Sequence, residues 1–243
     1  KNLTSIKLGS GLKCIGDWAF HDCTALTNVT IPDSVNCMGE EAFNGCTGLR
    51  SLTIGRGVTD FGDRAFNGCT ALASLTLSDG LQIIGEQAFQ NCTALSSAVI
   101  PGSVVSIGKQ AFNGCTGLAD LTIGTGVESI GEYAFMDCSS LATVTIPGSV
   151  TNIGTMAFHN TAYYLRLGNW TNAGLYIGNC LVSVKNDIGG IYEIRPGTVL
   201  IAGGAFRYCQ SMTGVTIPDS VTNIGDHAFH TCSALTSVAI PDS

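Results

Sequence analysis

The dipeptide Ala-Phe returns at a fixed step along the chain. Its Phe falls at Phe20, Phe43, Phe66, Phe89, Phe112, Phe135 and Phe158, each 23 residues after the last, and again at Phe206 and Phe229. The gap from Phe158 to Phe206 is 48 residues, two such steps plus two. Self-similarity at one period of this length constrains the chain to a solenoid. Each unit then stacks on its neighbours, because none can bury its apolar face alone.

The other positions form columns, numbered here from the Phe. Position +3 is Cys in Cys23, Cys46, Cys69, Cys92, Cys115, Cys138, Cys209 and Cys232. Position +6 is apolar, as in Leu26 and Leu49, and position −4 is Gly, as in Gly16, Gly39 and Gly62. Val29-Thr30-Ile31 alternates apolar and polar residues and reads as a half-buried strand. Pro32 has no N–H for a ladder and ends it, and Asp33-Ser34 turns the chain. Val35 and Met38 point back inward, and Gly39 leads into residues 40–43, which read as one helical turn. Acidic residues recur at position −3 (Asp17, Glu40, Asp63, Glu86, Glu132 and Asp226), where they suit a helix N-terminus. The expected fold is an α/β repeat solenoid, right-handed and curved. It has about nine or ten coils, each with one strand of a parallel sheet and one short helical turn.

Composition narrows the function classes. Apolar residues make up 45% and charged residues 12%, too apolar and too weakly charged for a disordered chain. A net charge of −7, with 11 Lys+Arg against 18 Asp+Glu, leaves no basic stripe for nucleic acid or an anionic membrane. No window reaches the roughly 18 unbroken apolar residues of a membrane span, so this stretch is not expected to insert in a bilayer. The opening Lys1-Asn2-Leu3-Thr4 lies directly within the pattern and shows no signal peptide.

The unit Leu-x-x-Val-x-Ile-Pro-x-Ser-Val-x-x-Ile-Gly-x-x-Ala-Phe-x-x-Cys, carried most closely by residues 217–225, resembles the BspA-like, Treponema-type class of leucine-rich repeats. The resemblance spans nearly the whole chain. It implies a bacterial cell-surface or secreted protein, in a family some of whose members are adhesins for host matrix proteins or other cells. Both ends fall inside the pattern: Leu3, Ile6 and Leu8 form a strand with no coil before it, and Ile240-Pro241-Asp242-Ser243 stops mid-unit. The expectation is one solenoid over residues 1–243, a fragment of a longer protein.

Residues 159–205 break the pattern and are expected to form an irregular insert. Thr161 stands where Cys is due. Leu175-Tyr176-Ile177 and Leu181-Val182-Ser183-Val184 flank Gly178-Asn179, a hairpin signal. Register recovers at Ile191-Tyr192-Glu193-Ile194. The insert holds four of the six tyrosines and one of the two tryptophans. Two readings stand for it: a degenerate repeat whose aromatics patch the core, or an aromatic binding surface on a projecting hairpin. In the second, Tyr163, Tyr164, Arg166, Trp170, Tyr176 and Arg195 are the binding candidates, because interfaces favour Tyr, Trp and Arg.

Chemistry is otherwise sparse. No nucleophile motif, phosphate loop or dinucleotide fingerprint occurs, so no enzyme and no cofactor are expected. The Cys column reads as a reduced, buried ladder, since a line of inward thiols does not converge as zinc ligands must. Cys14 and Cys37 share a solvent-facing slot in adjacent coils and are the pair placed for a disulfide, if one exists; two free surface thiols are the default reading. His227 and His230, three apart, read as a solvated helical turn rather than a metal pair. A calcium site on the acidic column and an ice-binding row of strand Thr residues are weaker alternatives to the bland reading. The function expected is protein or glycan binding at a cell surface or outside the cell, with host or bacterial surface proteins, matrix proteins or glycans as partners. The alternative is a structural spacer displaying other domains.

Overall fold

The computed structural model describes residues 2–240. Coils 1 to 7 carry Phe20 to Phe158, and coils 8 and 9 carry Phe206 and Phe229. The expected strands pair in parallel at the repeat step: Val29 lies opposite Leu52 and Leu52 opposite Leu75, while Thr30, Thr53 and Thr76 form the next rung. Asn28–Ile31 alternates exposed and buried residues, as does Ser97–Ile100. A second ladder of two-residue strands runs through positions −6 and −5. It pairs Cys14–Ile15 with Cys37–Met38, and further along it joins Ile83–Ile84, Ser106–Ile107, Ser129–Ile130 and Asn152–Ile153. Most coils thus carry two extended segments in place of the single one read from the sequence.

Coils lie one strand spacing apart; Cys14 and Cys37 Cα atoms are 4.6 Å from each other. That spacing explains the glycines at position −4. A Cβ on Gly62 would sit 2.3 Å from the carbonyl carbon of Gly39 below it. It also overturns the expected helical turn. An α-helix with its side chains is about 10 Å across and does not fit a layer about 4.8 Å thick. Residues 16–23 and their equivalents are instead a run of non-helical turns. In coil 3 alternate N–H groups stay within the coil (Ala65 to Gly62 O, Asn67 to Arg64 O, Cys69 to Phe66 O). The others cross to the next coil (Arg64 to Glu86 O, Phe66 to Ala88 O, Gly68 to Gln90 O) at 2.8–2.9 Å. The alternation requires a left-handed residue at positions −2 and +2, and both carry positive φ in all nine coils. Position +2 is mostly Asp, Asn or Gly, which tolerate this backbone. Position −2 holds Trp18, Glu41, Arg64, Gln87, Gln110, Tyr133, Met156 and His227, with Gly204 the single glycine.

With no helix to cap, two aspartates of the acidic column do a different job. Asp17 Oδ1 accepts the Glu40 N–H of the next coil and Asp63 Oδ1 accepts that of Glu86, both at 2.9 Å. Each carboxylate satisfies a backbone donor left over by the inter-coil pattern. Lys109, which interrupts the column, instead pairs with Glu132 above it at 2.9 Å.

The core is built by the same stacking. Rings from Phe20 to Phe158 form one continuous stack with centroids 4.9–5.4 Å apart, fully buried from Phe43 onward. The column cysteines are free thiols. Cys46, Cys69, Cys92, Cys115 and Cys138 each donate Sγ–H to the Phe carbonyl of the preceding coil, at 3.1–3.4 Å. A small apolar side chain with one weak donor fits that slot. Burial pushes the thiols of Cys46 and Cys115 up to about 12, so they stay protonated. Cys14 and Cys37, by contrast, are joined in a disulfide, which replaces the free-thiol default.

The Phe stack breaks between coils 7 and 8. Thr161, in the Cys slot, accepts the Tyr164 N–H and caps the helical turn Ala162–Leu165. A short 3₁₀ turn follows at Leu167–Asn169, and then the antiparallel strands Gly174–Ile177 and Cys180–Val184. The hairpin does not project. Eight of its nine strand residues are buried, Ser183 being the half-buried exception, and its side chains alternate between two cores. Ile177, Cys180 and Val182 face the core of coils 1–7, whereas Tyr176, Leu181 and Val184 face that of coils 8 and 9. Its second strand takes the place of a coil. Cys180 and Leu181 pair with Leu200 and Ile201, Ala202 N–H reaches Leu181 O, and Val184 N–H reaches Ala205 O. Those are the bonds a position −5 residue and a Phe make elsewhere. The hairpin spans them in three residues rather than five. Coil 8 closes the shortfall on one side by reaching past the hairpin to coil 7, through Gly203 N–H to Ile153 O at 2.7 Å.

Candidate functional site

The six candidate residues separate into two groups on the splice, and Arg166 joins neither. In one group the Trp170 ring meets Tyr164 edge-on at 5.2 Å and donates Nε1–H to the Tyr164 carbonyl at 2.7 Å. His159 packs on the other side of Tyr164 at 4.6 Å, and Lys185 Nζ lies 5.7 Å from the Trp170 ring. In the second group the Tyr163 hydroxyl donates to the Tyr176 carbonyl at 2.7 Å. Arg195 stacks on the Tyr176 ring at 4.2 Å and donates to Gly178 O. Arg166 and Arg195 are exposed, Tyr163, Tyr164 and Trp170 are half-buried, and Tyr176 is buried. The expected patch of freely exposed rings is therefore not what the chain builds: most of these aromatics are hydrogen-bonded into the frame of the insert. The reason is the double-sided burial of the hairpin, which needs large rings at its edges to close the two cores.

The two-residue shortfall leaves a hole. A cavity of about 100 Å³ opens where coil 7, the hairpin and coil 8 meet, bounded by Met156, Phe158 and His159, by Tyr164 and residues 182–184, and by Gly204, Ala205, Arg207 and Tyr208. Arg207 and Tyr208 were not singled out by the sequence reading. Arg207 Nη2 donates to the Tyr208 hydroxyl at 3.1 Å, and the guanidinium carbon lies 4.9 Å from that ring's centre. Arg207 Nε is buried with no hydrogen-bond partner. Tyr208 is 41% exposed and has φ +65°, in a column otherwise filled by Asp, Asn, Gly and one Thr. A bulky residue in that column was the available signal. Desolvation lowers the His159 pKa, against the opposing pull of Asp137. On the opposite edge a wider groove of about 570 Å³ runs between Thr171, Asn172, Tyr176, Glu193 and Arg195. His227 and His230 meet edge-on at 5.6 Å on an exposed turn. Among the described residues no three His, Cys, Asp or Glu side chains converge as metal ligands would, and no helix is long and apolar enough to cross a membrane.

The stacked columns and their register match the model of the BspA-type leucine-rich repeat region, in six copies covering residues 1–115, 39–165 and 195–243. The chain belongs to the BspA-type leucine-rich repeat family. A leucine-rich cell surface protein from Faecalibacterium prausnitzii is similar over 99% of this chain and 70% of that one, at 29% identity and a TM-score of 0.62. A leucine-rich repeat protein from Bacteroides ovatus shares the fold at 24% identity and TM-score 0.53, over 98% of this chain and 67% of that one. The pneumococcal vaccine antigen PcpA does so at 19% identity and TM-score 0.51, over 99% and 66% respectively. No curated protein sequence matches the chain.

Proposed function

We propose that this chain is a non-enzymatic, adhesin-like binding module, displayed on or secreted from a bacterial cell, that engages a surface protein, matrix protein or glycan. The observation that carries the reading is the splice. Along the regular coils the surface repeats one polar pattern, and a repeated pattern offers the same weak contact many times. At the splice Tyr164, Arg207 and Tyr208 line a concavity, Trp170 packs on Tyr164 and Lys185 lines the adjoining groove, the mixture of aromatic and cationic anchors on which specific recognition relies. The similarity to a cell surface protein supports the location. A screen of the immobilised chain against matrix proteins and glycans tests this. Capture of a ligand that is lost when Lys185, Arg207 and Tyr208 are replaced together by Ala, with the chain still folded, is the expected result. Capture of nothing favours the second reading, a spacer that displays other domains. That reading draws on the hairpin itself, whose rings are hydrogen-bonded inward and whose faces are both buried.

A further inference from the structure

We propose that the seam cavity and its rim bind a carboxylate-bearing sugar residue, so that the chain recognises an acidic glycan. The inference rests on the binding reading above and names its ligand class.

Charge is the first argument. The chain carries a net −7, yet the cavity lining contains Arg207 and no carboxylate. An anion would be repelled by most of this surface and accepted here. The second is unused hydrogen-bonding capacity. A guanidinium has five N–H donors in a planar fork, and Arg207 turns its outer nitrogens to the Tyr208 and Tyr133 hydroxyls, which leaves Nε unspent. Its Nε is buried without an acceptor, an unfavourable state that an entering carboxylate oxygen relieves with a charge-assisted bond. The stack against Tyr208 holds the fork in place before any ligand arrives.

The third argument separates a sugar from an acidic peptide. Beside Arg207 the lining offers Ser183, Asn186 and the Tyr164 and Tyr208 rings over an apolar floor of Phe158 and Val182. Hydroxyl and amide groups that both donate and accept match the hydroxyls of a pyranose, and ring faces match its C–H patches. An acidic side chain could accept from these groups but brings neither hydroxyl donors nor a broad C–H face to meet them. A volume of about 100 Å³ seats the carboxylate and one ring edge. The remainder would lie in the shallow groove that continues past Asn186 and Tyr208 to Lys185, whose one carboxylate is Asp187.

Calorimetric titration of the whole chain with trigalacturonate, galactotriose and triglutamate tests the proposal. Trigalacturonate should bind, and Arg207→Gln should weaken it at least ten-fold. Arg207→Lys should recover only part, because an ammonium cannot make the bidentate contact. Asn186→Ala should weaken binding without touching the cation, and Arg64→Gln, far along the solenoid, should change nothing. Thermal melting verifies that each variant is folded. Failure of trigalacturonate to bind at millimolar concentration, equal binding of galactotriose, or binding unaffected by Arg207→Gln overturns the proposal; triglutamate binding as well as trigalacturonate assigns the site to acidic peptides and overturns it too. If wild type and Arg207→Gln capture the same matrix protein or glycan in the screen, the seam is not the site while the adhesin-like function stands.

Discussion

The left-handed turn at position −2 can be tested by the sign of a stability difference at Gln110. This residue has φ +55°, and its side chain makes one bond, accepting from Gln87 Nε2 at 2.9 Å. Gln110→Ala and Gln110→Gly both delete that bond, so their difference reports the backbone alone. In a helical turn Gly is about 1 kcal/mol less stable than Ala. In the left-handed region the Ala Cβ costs about 1–2 kcal/mol. The greater freedom of unfolded Gly takes back about 0.4–1 kcal/mol of this advantage. The structure therefore expects Gln110→Gly to be the more stable variant by about 0.5–1 kcal/mol, a swing of about 1.5–2 kcal/mol from the helical expectation. Coil 8 already carries Gly204 at the equivalent place, with φ +63°. Urea unfolding of the two variants, compared at a common slope, measures the difference. A more stable Gln110→Ala would refute the turn geometry and restore the helix.

Other outcomes follow from the core and the thiols. Phe89 is fully buried between Phe66 and Phe112 at 5.4 and 5.3 Å, so Phe89→Ala should cost about 3–5 kcal/mol, and a loss under about 1 kcal/mol in urea unfolding would mean the stack contributes little. Thiol titration of the unfolded, unreduced protein should count nine groups, the free cysteines remaining beside the Cys14–Cys37 disulfide; eleven would show that disulfide to be open. Burial raises Cys46, Cys115 and Cys209 to about 12 from a usual 9.0. Between those values the unfolded chain binds fewer protons than the folded one. Stability is therefore intact below about pH 9 and falls as pH rises, by about 1.4 kcal/mol per unit for each such thiol. Unfolding measured from pH 8 to 10 should show a shallower fall in Cys115→Ala, and an unchanged slope would contradict the burial.

The period, the Phe and Cys columns and the pairing register were legible because they depend on stacking alone, which repeats one residue choice per coil. The turn at residues 40–43 was misread because four residues span little more than one helical period and cannot show its recurrence. Position −2 concealed the left-handed backbone as well, since Glu41, Arg64 and Gln87 are all good helix formers. What excluded the helix was layer thickness, a property of neighbouring coils rather than of the segment. The hairpin was misread in a different way. Leu175-Tyr176-Ile177 and Leu181-Val182 are unbroken apolar runs, and a strand with one wet face would alternate. That signal of two-sided burial was present and pointed away from projection. Arg207 and Tyr208 were overlooked in an otherwise regular coil, where the bulk of Tyr208 in the +2 column was the one mark of the gap opposite it.

The hairpin that faces two cores also behaves as a bulkhead. In a solenoid each coil holds its neighbours through direct contact, and a defect spreads along the stack by loosening the next ring. Here the last ring of one stack, Phe158, and the first of the other, Phe206, never touch, and Val184 stands between them. A breach in coils 8 and 9 meets strands whose far side is still anchored in the larger core. The rod is thus two compartments sharing one wall. Hydrogen exchange should record two opening free energies, with the smaller compartment emptying first and the larger keeping its protection.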